Sequence, residues 1–375
     1  MIIKRIAKFI LRSNERRKFF REKTIRTIQD KALVSSYDVG VKKLVVFFID
    51  GAELNSGNEN ISGGLLSIHS IFQETKNLCE THGAEVLLCT MKGVNLFAKF
   101  SSFESDVIVF RYEQLPVFFK DVQDILIHIP EYLVPRFNQQ SENGDLKYLN
   151  CIKHVHVNIL NQNIQLMPTV LEVNKIKAYV HKVTQTTAHS RYATRENRNK
   201  FNIPLHHLST FIAQERYNFI PISKKRDKIA ISPDCPIKNE KIKMILQRDL
   251  PHYEVEIIHG LTYEQFKRYI EEVKFTFTFG EGLDGYYCET VLTGGICFAV
   301  YNDEFFTQEY SSLPVVFSSF DRLLLGVVKK IKELENEKKF SETNKSQFDL
   351  LISQYQFGTY ISNIKNFYKE EYTFP

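Results

Sequence analysis

The sequence predicts an α/β protein built from two doubly wound domains, each a parallel sheet with helices packed on both faces. Three observations predict it. At 375 residues the chain exceeds the size at which a single hydrophobic core stops growing. Continuous apolar runs of strand length alternate with segments of helical periodicity through the first half. A second alternating series starts at KIAISPD (228–234), directly after a segment that carries Pro221 and a charge cluster.

A composition of 43% hydrophobic and 25% charged residues, rich in Phe and Tyr, belongs to an ordered globular chain and excludes disordered and fibrous classes. The net charge of +5 is unevenly placed. Residues 1–31 hold eleven Lys/Arg against three Asp/Glu, leaving 38 basic against 41 acidic side chains in the remainder. The body is slightly acidic and has no basic stripe interleaved with aromatics, so nucleic acid is not an expected partner.

The leader MIIKRIAKFILRSNERRKFF places Ile3, Ile6 and Ile10 on one helical face among Lys4, Arg5, Lys8 and Arg12. A basic amphipathic helix of this kind suits packing on the protein's own surface, or attachment to an anionic membrane through residues 1–20. Charge interrupts its apolar run too often for a signal peptide or a membrane span. The six cysteines are scattered without a Cys-x-x-Cys or a metal-ligand spacing, as in a reducing compartment. The expected location is cytoplasmic, with peripheral contact at the inner membrane face.

LVVFFID (44–50) reads as a first strand covered on both faces. A polar loop (51–64) then feeds a helix that Gly83 closes. AEVLLCTM (84–91), SDVIVFRY (105–112) and DILIHIP (124–130) continue the strand series, with helical segments near 117–123 and 131–137. HVHVNILN (154–161) and AYVHKVTQTTAH (178–189) read as its last strands. The second half follows as strand 228–234, helix 237–248, strand 253–260, helix 262–273, strand 274–280, helix 286–293 and strand 296–301, and ends in amphipathic helices. The implied division is a leader at 1–31, an N-terminal α/β domain at 32–222, a C-terminal α/β domain at 223–350, and a tail at 351–375.

The segment FGEGLDGYYCETVLTGG carries the chemistry. Glu281 ends a strand and Glu289 lies in the first turn of the next helix, so both carboxylates converge on the crevice where open parallel sheets bind ligands. Gly282 and Gly285 allow close backbone approach, and the helix N-terminus, with Asp284 and Tyr286 beside it, offers unpaired N–H groups to an anion. A carboxylate can accept hydrogen bonds from both hydroxyls of a diol, each worth roughly 1.5–3 kcal/mol. A nucleotide sugar presents a ribose diol, a pyrophosphate and a sugar ring to such a site.

These residues resemble the retaining GT-B glycosyltransferases that carry two glutamates separated by seven residues, glycosyltransferase family 4 and its relatives. Gly294 stands five residues after Glu289, where that family has the glycine of its E-A-x-x-x-G, and the strand ICFAV follows. Ser62-Gly63-Gly64 looks like the family's N-domain glycine loop. DILIH looks like its D-x-x-H strand, which places His128 near the donor sugar. TTAHSRYATRENRNKFNIP resembles its serine-then-Arg helix, and KIAISPDCPIKNEK sits where it has a strand followed by pyrophosphate-holding Arg and Lys. With no Arg there, Lys238 or Lys241 would take that role. Asp284 and Ile296 depart from the usual glycine and proline.

The resemblance implies two Rossmann-like domains facing each other across a cleft. It further implies metal-independent, cofactor-free sugar transfer with retention from a nucleotide-sugar donor to a glycan or lipid-linked acceptor of the surface-polysaccharide kind, such as capsule or lipopolysaccharide. In it Glu289 serves the ribose and Glu281 the sugar, with a tail returning to the N-terminal domain. Bland readings stand beside it: a capping loop at 62–64, a satisfied core histidine at His128, a solvated helix face at Lys238 and Lys241. Two other functions fit parts of the pattern. Gly280, Gly282 and Gly285 satisfy the dinucleotide fingerprint of an NAD-dependent oxidoreductase, and a GT-B chain can also serve as an inactive partner subunit. The absence of Asp-x-Asp, H-E-x-x-H, P-loop and G-x-S-x-G motifs sets aside the metal-clamped transferases, metalloproteases, NTPases and α/β-hydrolases.

Overall fold

The computed structural model describes residues 17, 20, 40–49, 63–93, 109–209, 217–279, 283 and 285–375. The leader helix expected at residues 1–20 lies outside these residues apart from Arg17 and Phe20. The chain divides into two compact units, Met1–Ser209 with Ile361–Pro375, and Thr210–Tyr360.

The first unit holds β1 (Lys43–Ile49), α1 (Gly63–Asn77), β2 (Glu85–Thr90), β3 (Val109–Arg111), β4 (Asp124–Pro130), α2 (Val134–Glu142), β5 (His154–Asn161), α3 (Val170–Lys177), β6 (Lys182–Thr187), α4 (Arg195–Phe201) and β7 (Leu205–His207). Its seven strands run in the order β3-β2-β1-β4-β5-β6-β7, and every pair between them is parallel. Val45, Phe47 and Ile49 point to one face of β1 and Leu44, Val46 and Phe48 to the other, and all six are buried, as in a strand covered on both sides.

Two local readings change in this unit. The helix expected at 117–123 is a single turn, Leu115–Phe118, started by Pro116 after a 3-10 turn at Tyr112–Gln114. The long strand expected at 178–189 is only Lys182–Thr187, preceded by α3. That helix opens on a capping box: the Thr169 hydroxyl accepts from Glu172 N–H at 3.3 Å, and the Glu172 carboxylate accepts from Thr169 N–H at 2.7 Å.

The second unit contains β8 (Arg226–Ile231), α5 (Pro236–Asp249), β9 (Glu254–Ile257), α6 (Tyr263–Glu272), β10 (Val273–Thr278), α7 (Gly285–Leu292), β11 (Ile296–Val300), β12 (Val316–Phe317), α8 (Phe320–Leu334) and α9 (Glu337–Gln354). The order β12-β11-β10-β8-β9 is again parallel throughout. Its first strand, β8, therefore lies beside its third, β10, and the chain leaves these neighbours toward opposite sides. That junction is the topological switch point, where the carboxyl ends of two strands open a crevice.

Both expected unit boundaries move. Residues 217–222 already pack on the second unit, with Ile220 N–H donating to Thr293 O at 3.0 Å, so the division falls before Thr210 and not at 222. At the other end Leu351 is fully buried in the second core, and α10 (Phe357–Tyr368) carries the chain onward, so the segment belonging to the first unit begins at Ile361 and not at 351.

Candidate functional site

The switch point of the second unit is formed by the loop from β8 into α5 and the loop from β10 into α7. Gly280, Glu281, Gly282 and Asp284 lie outside the described residues. Helix α7 is tied to the strand before it by threonines: buried Thr276 donates from Oγ1 to Tyr286 O at 3.2 Å and to Thr290 Oγ1 at 3.0 Å, and Thr290 Oγ1 donates to Tyr286 O at 2.7 Å. This lashing sets the helix rotation, and with it the direction of Glu289 one turn in.

Glu289 is 7% exposed, while Gly285, on the same face one turn earlier, is exposed. A Cβ on Gly285 would stand 3.5 Å from Glu289 Oε1, so the carboxylate lies just under the helix's open N-terminal edge. Its Oε1 accepts from the hydroxyl of Tyr263 at 3.2 Å. Tyr263 is the first residue of α6, placed by a capping box in which Thr262 accepts from Gln265 N–H and the Gln265 side chain accepts from Thr262 N–H. Tyr217 lies beside Tyr263, and the Lys267 ammonium lies 5.7 Å from the Tyr217 ring centre and 5.8 Å from that of Tyr263. Burial, and after it the Glu289 charge, push the Tyr263 hydroxyl up to about 12 and that of Tyr217 higher. Both phenols therefore stay protonated donors at neutral pH.

The far end of α7 explains Gly294. Gly295 N–H donates to Thr290 O at 2.8 Å and Gly294 N–H to Val291 O at 3.2 Å, a Schellman ending with Gly294 at φ +86°. A Cβ on Gly294 would meet Ile220 O at 2.5 Å, and one on Gly295 would meet Thr290 Cγ2 at 2.7 Å. Gly294 lets the 217–222 segment cross the helix end and deliver Tyr217, while Gly295 lets the chain turn close against Thr290.

Lys238 and Lys241 rise from the opening turns of α5 over one ring, Phe320, at 5.7 and 5.9 Å from its centre. Phe320 packs edge-on against Phe279, at 5.3 Å, on the last residue described before the Glu281 loop. The structure thus gathers the two lysines at the end of the sheet where that loop begins. The first turn of α5 holds no acidic residue, and a cation there opposes the helix dipole, a cost that a bound anion removes. Tyr286 packs edge-on against Phe266 at 5.0 Å.

In the first unit Ser62 lies outside the described residues, and Gly63 and Gly64 open α1, which follows β1. His128 is 1% exposed. Its ring stacks on Phe47 at 4.4 Å, Asn158 Nδ2 donates to Nδ1 at 3.0 Å, and Nε2 lies 2.9 Å from the Tyr368 hydroxyl. With Nδ1 accepting, the proton sits on Nε2. This surrounding ties His128 to α10, which enters the first unit at Ile361, and gives its ring no open face.

Tyr217, Tyr263 and Lys267 belong to no motif, and sequence reasoning passed over them. A signal was present: Thr262 and Gln265 form a capping box, and Tyr263 and Lys267 are four residues apart on one helix face. Among the described residues no group of three or more metal-ligating side chains comes together, and no helix is long and apolar enough to cross a membrane.

No protein-family model and no curated protein matches the chain. Solved structures do. Sucrose-phosphate synthase of Thermosynechococcus elongatus superposes with a TM-score of 0.56 at 10% identity, over 88% of this chain and 99% of that one. A glycosyltransferase of Rickettsia africae gives 0.55 at 8%, over 88% and 98%. Anabaena HepE, in complex with UDP and glucose, gives 0.52 at 7%, also over 88% and 98%. With two parallel sheets matched over this length, the chain has the GT-B fold of these glycosyltransferases.

Proposed function

We propose that the protein is a glycosyltransferase that moves a sugar from a nucleotide-sugar donor to a glycan or lipid-linked acceptor, with retention and without a metal. The observation that carries this reading is Glu289: a nearly buried carboxylate under the open edge of α7, at the switch point of a parallel sheet, with Lys238 and Lys241 on the helix that leaves the neighbouring strand. Glu289 accepts the two hydroxyls of the ribose. The N-terminus of α5 and one of its lysines hold the pyrophosphate and stabilise the charge that grows on it as the bond to the sugar breaks. Glu281 serves the sugar ring. The acceptor oxygen bonds to the anomeric carbon on the face the diphosphate leaves, and its proton passes to the departing phosphate oxygen. His128 takes no part, because its ring is occupied by packing and hydrogen bonds.

Binding of UDP with glucose by HepE, and of ADP with acarbose by the catalytic domain of starch synthase IV from Arabidopsis thaliana, supports a donor of this class. An NAD-dependent reaction is disfavoured by position: the Gly280–Gly285 fingerprint follows β10, the third strand of its sheet, whereas a dinucleotide loop follows the first. A thermal-shift panel of UDP-, GDP-, CMP- and TDP-sugars tests the reading, since a ligand at one hundred times its Kd adds about 2.7 kcal/mol of stability. One donor should stabilise the protein, and Glu289→Ala should remove that response. A response to NAD alone, or a donor response that survives Glu289→Ala, would overturn it.

A further inference from the structure

We propose that Tyr263, backed by Tyr217 and clamped by Lys267, is a positioning residue that aims the Glu289 carboxylate at a ribose diol, so that the site takes ribonucleotide and rejects 2′-deoxyribonucleotide donors. The inference rests on the assignment of Glu289 to the ribose.

A carboxylate reads a vicinal diol only when its plane is held against the two hydroxyls, and a glutamate has three side-chain torsions to fix. The threonine lashing of α7 fixes the backbone end. The other end is fixed by the Tyr263 hydroxyl, which donates to Glu289 Oε1 at 3.2 Å, with Tyr217 beside Tyr263 under the same Lys267 ammonium. Each member is held separately. Tyr263 sits in the capping box of α6, Tyr217 is delivered by the crossing over Gly294, and the Lys267 ammonium bridges both rings at 5.7 and 5.8 Å. A cation over a phenol ring strengthens its hydroxyl as a donor and holds the ring in place. At 44% exposure, Tyr263 also presents part of its ring beside the carboxylate, and burial of both hydroxyls keeps them protonated.

With Oε1 held by Tyr263, the carboxylate keeps one fixed orientation toward the 2′ and 3′ hydroxyls. Removal of the 2′ hydroxyl from the ligand leaves a buried acceptor unsatisfied, which is the kind of site that discriminates strongly. Without the Tyr263 hydroxyl the carboxylate turns, and the loss of one ribose hydroxyl matters less.

Isothermal titration with UDP, GDP and ADP, each against its 2′-deoxy counterpart, tests this on the full chain. Wild type should prefer the ribo form of its nucleotide by roughly 10- to 100-fold. Tyr263→Phe should cut that ratio about 5- to 10-fold, and Tyr217→Phe should cut it about 2- to 3-fold. Should Tyr263→Phe fail to fold, Tyr217→Phe and Lys267→Met carry the test through the same ratio. A wild type that discriminates, with variants that weaken both forms equally and keep the ratio, would show a structural role only and overturn the positioning claim while leaving the ribose assignment intact. A wild type that binds both forms alike, or neither, would remove the ribose assignment and this inference with it.

Discussion

Substituting Gly294 and Gly285 separately by alanine should split stability from ligand recognition. At Gly294, φ is +86° and the new Cβ would stand 2.5 Å from Ile220 O and 3.1 Å from Phe219 Cε2. The left-handed conformation costs alanine about 1–2 kcal/mol. Displacing a backbone carbonyl, itself fixed because Ile220 N–H donates to Thr293 O at 3.0 Å, adds overpacking strain of about 1–3 kcal/mol. The expected loss is about 2–5 kcal/mol, read as a lower urea midpoint at unchanged slope. Far-UV circular dichroism is the suitable probe, since the chain contains no tryptophan. At Gly285 the new methyl meets Glu289 Oε1 at 3.5 Å and Phe266 Cε1 at 3.9 Å, ordinary contacts, and the backbone needs no positive φ. Gly285→Ala should leave stability unchanged or raise it by up to about 1 kcal/mol, yet weaken nucleotide binding by covering the carboxylate's open edge. A Gly294→Ala protein as stable as wild type, or a Gly285→Ala protein that loses stability, would refute the division between the two glycines.

Three further outcomes follow from buried polar groups. His128, His156, His206 and His82 surround Phe367 and Tyr368 of α10, and burial holds each below the ordinary histidine range, His156 down to about 3 with the Lys182 charge contributing. They are neutral in the folded state, so their contribution is complete above about pH 6.5 and lost as pH falls toward 3, because the unfolded chain then binds protons that the folded chain refuses. The melting temperature should fall between pH 7 and pH 5, with hydrogen exchange at 361–375 rising first; a flat profile would contradict this. Tyr368→Phe removes the partner of His128 Nε2 and of Thr75 Oγ1 and should cost about 1–3 kcal/mol in urea unfolding. Lys225, 6% exposed with its ammonium on Glu271 O, is pushed down to about 8 by burial, so Lys225→Met should stabilise the protein by about 1–3 kcal/mol at pH 7, and by less at pH 10, in thermal melts.

The fold was legible wherever strands are buried on both faces. LVVFFID and ICFAV are continuous apolar runs because parallel sheets hide both sides, DILIHIP and HVHVNILN carry the same pattern interrupted by His and Asn, and the observed bounds of all four differ by at most one residue from those read in the sequence. Short edge strands left no such trace: β7 has three residues and β12 two, below the length at which any periodicity can be counted. Helix α3 lies between the strands read at 154–161 and 178–189, in a stretch to which no element was given, although Thr169 and Glu172 spell out its start. The boundary at 222 was misplaced for a different reason. Pro221 and the charges around it resemble a linker in composition, but composition does not reveal that Ile220 hydrogen-bonds to Thr293 across the end of α7.

The same crossing shows why the site was only half legible. A motif preserves spacing along one element, so Glu289 and Gly294 could be found together on α7, five residues apart. Their physical connection passes outside the motif: Gly294 has no side chain so that residues 219 and 220 can lie on the helix end, and those residues bring in Tyr217 beside Tyr263, whose hydroxyl donates to Glu289. The glycine that looks like a mark of family membership is thus, in mechanical terms, the seat of the segment that orients the carboxylate. A glycine can be read from sequence, but what its missing Cβ makes room for comes from another part of the chain, here some seventy-five residues earlier, and only the packed structure brings the two together.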